Sequence, residues 1–140
     1  MVITCVKNES VTITYDDVLQ LGKATGHGFL NSQKFREVVE ACLQVIDEYK
    51  PIRWMGDNRN LKAIRKKDQD WFTSYVFPRL AASSIRRNAT IVSYDVFNKM
   101  AVEHMIERAE DLGNMLVKEF DNEDEAMAWL MKPIGEHELK

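Results

Sequence analysis

Residues 31–57 read NSQKFREVVEACLQVIDEYKPIRWMGD. Within this run Phe35, Val38, Val39, Cys42, Leu43, Ile46 and Tyr49 recur at steps of three and four, the spacing that gathers side chains on one stripe of an α-helix. Lys34, Glu37, Glu40, Gln44 and Asp47 fall outside the stripe. Asn31 or Ser32 offers a side-chain oxygen to cap the helix. Pro51 ends it after Lys50, because a proline pushes the residue before it out of helical conformation. A short strand, Ile52–Met55, is expected next. A one-faced helix running straight into a strand is the repeating unit of a sheet covered by helices. The Phe35, Val39, Cys42 and Ile46 face is therefore predicted to lie on that sheet.

Upstream, Val2–Lys7 and Val11–Tyr15 are rich in β-branched residues, and Val11, Ile13 and Tyr15 alternate with Thr12 and Thr14. That period of two marks a strand with one buried face. Asn8-Glu9-Ser10 and Asp16-Asp17 supply turns, the second leading into Val18–Ala24, so an antiparallel meander is expected. Gly26-His27-Gly28 breaks the pattern. Downstream, a loop is expected from Gly56 to Lys67, then a helix from Asp68, read as its N-cap, to about Ser84. This helix carries Trp71, Phe72, Tyr75, Phe77 and Leu80, with Pro78 inside to kink or interrupt it. Ala89–Tyr94 reads as a strand from the middle of a sheet. Asn98 is expected to cap a helix to Leu112 that buries Met100 or Ala101, Met105, Ile106, Ala109 and Leu112, with Gly113 closing it. Met115–Phe120 reads as the last strand. Asp121 or Asn122 caps a final helix through Met131, with Glu123, Asp124 and Glu125 in its first turn, where the helix dipole favours acids, and Ala126, Trp129 and Leu130 facing inward. The order predicts one α/β domain over residues 1–132 with a tail at 133–140. Its single mixed sheet is antiparallel at its start, and Ile52–Met55, Ala89–Ser93 and Met115–Phe120 are parallel central strands with right-handed crossovers.

The composition, 45% hydrophobic and 29% charged over 140 residues, is that of an ordinary folded domain and excludes a disordered, collagenous or disulfide-built chain. At this length folding buries about two thirds of the chain surface without help from metals or disulfides. Cys5 and Cys42 lie in apolar patterns, which points to buried thiols in a reducing, cytoplasmic setting. No run of about 20 apolar residues exists to span a membrane, and Met1 to Asn8 lacks the regions of a signal peptide. The net charge of −3 is unevenly spread: residues 1–102 hold 15 Lys and Arg against 11 Asp and Glu, and residues 103–140 hold 4 against 11. Arg53, Arg59, Lys62, Arg65, Lys66 and Lys67 crowd the stretch 53–67, with Asp57 the sole acid there. Such a patch either meets an acidic partner or phosphate or is a solvated loop and helix start. The sequence pI near 5.6 opposes nucleic-acid binding.

Several stretches resemble a known family. Gly26-His27-Gly28-Phe29-Leu30-Asn31-Ser32-Gln33-Lys34-Phe35-Arg36 looks like the strand end and helix cap of small bacterial SpoIIAA-like proteins of the STAS/SEC14 type. Arg53-Trp54-Met55-Gly56-Asp57-Asn58-Arg59-Asn60-Leu61 looks like their strand followed by a D-N-R-N-L loop. Asp68-Gln69-Asp70-Trp71 and Phe77-Pro78-Arg79 match further on, and the run from Phe120 to Leu130 fits the pattern F-x-x-x-x-x-A-x-x-W-L. The resemblance covers about Val11 to Leu130. It implies the STAS (SpoIIAA-like) fold, with an N-terminal meander followed by βα units, and it implies no activity. The STAS relatives that antagonise anti-sigma factors carry a phosphorylatable serine in a turn after a central strand. The corresponding turn here, Asp57-Asn58-Arg59-Asn60, has no hydroxyl, and the nearest one downstream is Thr73. The SEC14 likeness implies a lipid or other apolar ligand, by analogy of fold.

Asp57, Asn58 and Arg59 form the most distinctive cluster, because ligands of open α/β sheets gather beyond the carboxyl ends of the strands. Arg59 is able to hold a carboxylate or phosphate in a two-pronged grip; alternatively Asp57 and Arg59 brace their own loop. Trp71, Phe72, Tyr75 and Phe77 point in too many directions for one buried stripe. Trp71 and Tyr75 are expected to pack in the core, and at least one of Phe72 and Phe77 is expected to face a groove, a partner or a second copy in a homodimer. His27, His104 and His137 lie in three separate elements without metal-ligand spacing, so no metal and no cofactor is expected. No nucleophile elbow, phosphate loop or Cys/His pair is present, so no enzyme is expected. Two classes of function remain: a non-catalytic regulatory or protein-interaction module, and a binding protein for a small apolar ligand or lipid with its pocket at the strand ends.

Overall fold

The β-branched runs at the N-terminus form the meander they encode. In the computed structural model, which describes residues 1–109 and 112–135, β1 (Val2–Lys7) pairs antiparallel with β2 (Val11–Asp16), and β2 pairs antiparallel with β3 (Leu21–Gly26). The Asn8 side chain accepts the N–H groups of Ser10 and Val11 at 2.8 and 2.9 Å, and that of Asp16 accepts those of Val18 and Leu19 at 3.0 and 3.1 Å. The second turn takes up the chain as far as Gln20, which adopts φ 52°, so β3 starts at Leu21 and not at Val18.

Asn31 caps α1 (Ser32–Tyr49) by accepting the Lys34 N–H. The helix buries Phe35, Val39, Leu43, Val45 and Ile46. Cys42, expected on the buried stripe, is half-buried, and Val45, which the stripe omitted, is buried. β4 (Arg53–Asp57) then lies parallel to β3, β5 (Arg87–Ile91) parallel to β4, and β6 (Leu116–Phe120) parallel to β5, in a six-stranded sheet of order β1-β2-β3-β4-β5-β6. Two expectations are corrected here. β6 is an edge strand and not a central one, and β5 begins two residues earlier, at Arg87, and stops at Ile91.

The helix expected over 68–84 is three short pieces: α2 (Lys66–Trp71), a π-helical turn over Phe72–Val76, and α3 (Phe77–Ala81). Pro78 has no N–H to give to the preceding turn, and the ladder widens just ahead of it, with the Phe77 N–H bonding the carbonyl of Phe72. Asp68 is not the N-cap. Arg65 holds that position without a side-chain bond. Asp68 is buried in the first turn, where its carboxylate accepts Ser32 Oγ at 2.7 Å and Arg36 Nε at 3.3 Å, tying α1 to α2. Nor does Asn98 cap the next helix. α4 (Val96–Arg108) is capped by Asp95, which accepts the N–H groups of Phe97 and Asn98 at 2.9 and 3.1 Å. Asn98 is fully buried within the helix and donates to the carbonyl of Lys62 at 2.6 Å. α4 buries Ala101, Val102 and Met105, leaves Met100 exposed, and ends at Arg108, short of Leu112 and Gly113.

α5 (Glu123–Leu130) is capped by Asn122 and starts with the three acids. Eight residues are marginal as a free helix, and this one is held at both ends. Glu123 pairs with Lys23 of β3. At the other end Arg53 Nε reaches the carbonyl of Leu130 at 2.7 Å, and Arg87 reaches those of Trp129, Lys132 and Pro133 at 3.1, 2.5 and 2.9 Å, cations set where the helix dipole is negative. α5 covers one face of the sheet through Leu21, Met55, Ala89 and Ile91; α1 to α4 build the larger core on the other face. No helix among the described residues is long and apolar enough to cross a membrane. The tail end expected at 136–140 lies outside the described residues.

Candidate functional site

Strand alternation sends the candidate residues to opposite faces of the sheet. On β4, Met55 and Asp57 face α5, whereas Trp54 and Gly56 face α1; on β5, Arg87, Ala89 and Ile91 face α5, whereas Asn88 and Thr90 face the other way.

On the α5 face, Asp57 ends β4 and is 4% exposed. Arg59 grips it in two prongs, Nε to Oδ1 at 3.0 Å and Nη2 to Oδ2 at 2.6 Å, and the Arg59 backbone N–H adds a third bond at 3.2 Å. Glu123 lies 3.9 Å from Arg59 Nη2 and joins the pair to Lys23. Burial works to raise the Asp57 carboxyl, but the Arg59 hydrogen bonds prevail and hold it below the ordinary carboxylate range; the same bonds push Arg59 upward. Of the two roles open to the Arg59 fork the structure shows the second: it is engaged within the chain, and Asp57 and Arg59 brace the loop after β4.

The pair makes stability depend on pH. A carboxyl held low in the folded state adds stability that is complete above its unfolded value, near 3.9, and is lost as pH falls through the folded value. Asp57→Asn is expected to cost about 2 kcal/mol at pH 6, the scale of hydrogen bonds to a charged group. Urea unfolding at pH 6 and pH 3 should show that gap narrowing in acid. A gap of equal size at both pH values contradicts the assignment.

On the other face α1, α2, α3 and α4 arch over the sheet and leave a partly open cavity of about 160 Å³ beneath them. Its floor includes Trp54, Gly56 and Asn58 from β4 and the residue after it, with Asn88 and Thr90 from β5; Val39, Phe72 and Met105 stand over it. Of the candidate residues, Asn58, Phe72 and Phe77 line this space. Phe77 is buried and Phe72 half-buried, their rings edge-to-face with centroids 5.0 Å apart. Both rings turn toward this space, so of the expected roles facing a groove is kept, and an exposed ring for a partner or a second copy is corrected. The cause is the π-turn, whose i to i+5 hydrogen bonds bring residues five apart toward one side. Trp71 and Tyr75, expected in the core, instead take the outer side as a stacked pair with centroids 5.4 Å apart, Trp71 half-buried and Tyr75 exposed. Arg36 covers Trp71 at 4.9 Å and Arg79 covers Tyr75 at 5.5 Å, and Arg79 bonds Asp47 of α1 at 3.2 Å. This outer ladder pins the aromatic segment to α1.

Sequence reasoning missed Gly56, Asn88 and Thr90 as lining residues. The one local signal was a glycine inside a strand, which marks close approach or open space. A Cβ built on Gly56 would meet nothing within 4 Å. Burial pushes the Cys42 thiol, which also lines the cavity, up to about 12, so it is no nucleophile near neutrality. Among the described residues no group of three His, Cys, Asp or Glu is placed to hold a metal ion.

No protein-family model and no curated protein matches the chain. The structure is similar to the crystal structure of an uncharacterised protein of the DUF3478 family from Shewanella loihica PV-4, described as having a SpoIIAA-like fold. The match covers 89% of this chain and 97% of that one, with a TM-score of 0.55 and 12% sequence identity. Identity at that level carries the architecture and no residue's role. With its meander, parallel βα units and mixed sheet, the chain has a SpoIIAA-like fold.

Proposed function

We propose that the protein is a non-catalytic binding module that takes a small, mainly apolar molecule into the cavity between the sheet and α1 to α4. The observation that supports this is the cavity itself. Protein interiors are packed like organic crystals, and unfilled space costs about 24 cal/mol per Å³. Gly56 holds part of this space open in a central strand, where a β-branched residue would both fill it and suit the strand better. A cavity of about 150 Å³ lined by apolar side chains accepts benzene, which sets the ligand at roughly six to eight heavy atoms. The lining offers no charged group and no activated nucleophile, so its chemistry is to hold a molecule.

The test is solvent extraction of the purified protein followed by mass spectrometry, for the wild type and for Gly56→Leu, whose side chain occupies the cavity. The expected result is a molecule of that size recovered in proportion to wild-type protein and lost from a folded Gly56→Leu. Equal recovery from both would overturn the reading.

A second reading, a protein-interaction module, is supported by a different surface. Tyr94, Val96, Phe97 and Met100, at the start of α4, are 77%, 62%, 72% and 59% exposed, an apolar patch of the kind that meets partners. A homodimer, if formed, uses this patch and not the inward-facing Phe72 and Phe77. Light scattering then gives about twice 16.2 kDa, and Phe97→Ser returns the protein to a monomer with unchanged melting.

A further inference from the structure

We infer that the cavity selects a neutral ligand with one hydrogen-bonding group, such as an alcohol, phenol, ketone or primary amide, and rejects carboxylates and amines. This rests on the binding role proposed for the same cavity and names the class of ligand it takes.

The lining holds no Asp, Glu, Lys, Arg or His side chain. Its polar side chains, Asn58, Asn88 and Thr90, sit together on the floor. Trp54 pairs with Asn88 and Gly56 with Thr90 in the parallel ladder. Asn88 and Thr90 therefore stand two apart on one face of β5, and Asn58 stands two beyond Gly56, just past the end of the neighbouring strand β4. Because Gly56 has no side chain and its Cβ direction is open, nothing shields Thr90 and Asn58 from the space between them.

None of these three side chains hydrogen-bonds to another group among the described residues. Asn88 is only 8% exposed, yet its amide is not among the polar groups sealed off without a partner, so it opens onto space that a small polar molecule can reach. The fully buried Asn98 donates its amide N–H to Lys62, while its Oδ1 is sealed off without a partner. An amide offers two donors and an acceptor, and a threonine hydroxyl offers both kinds, so the floor can satisfy a hydroxyl, a carbonyl or an amide. It cannot satisfy a charge. Taking a carboxylate or ammonium out of water without a partner ion is far more costly than burying a neutral group. The cations adjacent in sequence, Arg59 and Arg87, are spent at the opposite face, on Asp57 and on the carbonyls at the end of α5. The ligand then lies with its polar end on β5 and its apolar body toward Phe72, Val39 and Met105.

Three probes of nearly equal size separate the possibilities: toluene, benzyl alcohol and benzoate, titrated at pH 7 and followed by NMR shifts of the Met105 methyl. Wild-type protein is expected to bind toluene and benzyl alcohol saturably and to bind benzoate at least tenfold more weakly than the alcohol. Thr90→Val and Asn88→Leu, near-isosteres that remove the bonding groups, should each weaken benzyl alcohol by up to about tenfold, the scale of one net hydrogen bond. Toluene affinity should stay the same or rise. Thr90→Val exchanges a hydroxyl for a methyl and carries the test alone if Asn88→Leu does not fold. Benzoate binding as tightly as benzyl alcohol, or alcohol affinity unchanged in the folded variants, overturns the neutral-group inference while leaving the cavity as an apolar site. Failure of all three probes to bind the wild type overturns the cavity reading and this inference with it.

Discussion

The Ile46→Asp variant is expected to be unfolded at 25 °C. Ile46 is 2% exposed and sits on α1 against the sheet in the main core, one turn from Leu43 at 3%. The change removes the transfer energy of a buried aliphatic side chain, about 2 kcal/mol, and places there a carboxylate with no cation among the surrounding core residues. Burying an unpaired charge costs several kcal/mol more, or forces it to protonate. Together these exceed what a domain with roughly 5–15 kcal/mol in hand tolerates without large loss of folded protein. Leu43→Asp should behave alike. Gln44→Asp, one position away on the exposed side, should leave melting within about 0.5 kcal/mol of wild type. Circular dichroism against temperature reads all three, and wild-type-like melting of the two core variants contradicts the seating of α1.

Gly22→Ala is expected to displace the Trp54 indole, whereas Gly56→Ala, on the same face of the sheet, is expected to be neutral or stabilising. Gly22 pairs with Trp54 across β3 and β4, and a Cβ on Gly22 would lie 2.3 and 2.4 Å from Cζ3 and Cε3 of the ring. No carbon approaches another that closely, so the ring must move. Trp54 is 6% exposed and cannot swing into solvent without opening the core. Overpacking of this kind costs about 1–3 kcal/mol and sometimes more. The Cβ of Gly56 meets nothing within 4 Å, and alanine there relieves the entropic cost of glycine in a strand, about 0.5–1 kcal/mol. Fluorescence of Trp54, with Trp71 and Trp129 changed to phenylalanine, should shift for Gly22→Ala and stay fixed for Gly56→Ala. Equal responses from the two glycines would contradict the packing of this face.

What the residues revealed in advance depended on how far away their partners lie. The stripe of α1, the alternation of β2 and the acidic first turn of α5 are local patterns, and each element stands where its pattern put it. Asp68 and Asn98 looked like caps because Asp and Asn ahead of an apolar run usually are. Their side chains instead reach Ser32, Arg36 and the carbonyl of Lys62, more than 30 residues away, and no local pattern records that. Arg87 and Asn88 did not look like strand residues. Arg87 belongs to the ladder while its guanidinium closes the end of α5, and Asn88 belongs to it while facing the cavity. Pro78 announced an interruption, yet the widened turn that aligns Phe72 with Phe77 depends on how the helix accommodates it. The D-N-R-N-L resemblance located the end of a strand; it did not show that Arg59 would turn back onto Asp57. The cavity is the least legible feature of all, because it is defined by atoms that are missing, and Gly56 is its single mark in the chain.

The most direct test of the cavity as a ligand site is a crystal of the protein soaked in iodobenzene, with the anomalous signal of iodine locating the molecule. The expected result is one iodine peak in the space bounded by Gly56, Phe72 and Met105, absent from crystals of Gly56→Leu. Iodine bound only on the surface, or found in that space equally in both proteins, would contradict the account.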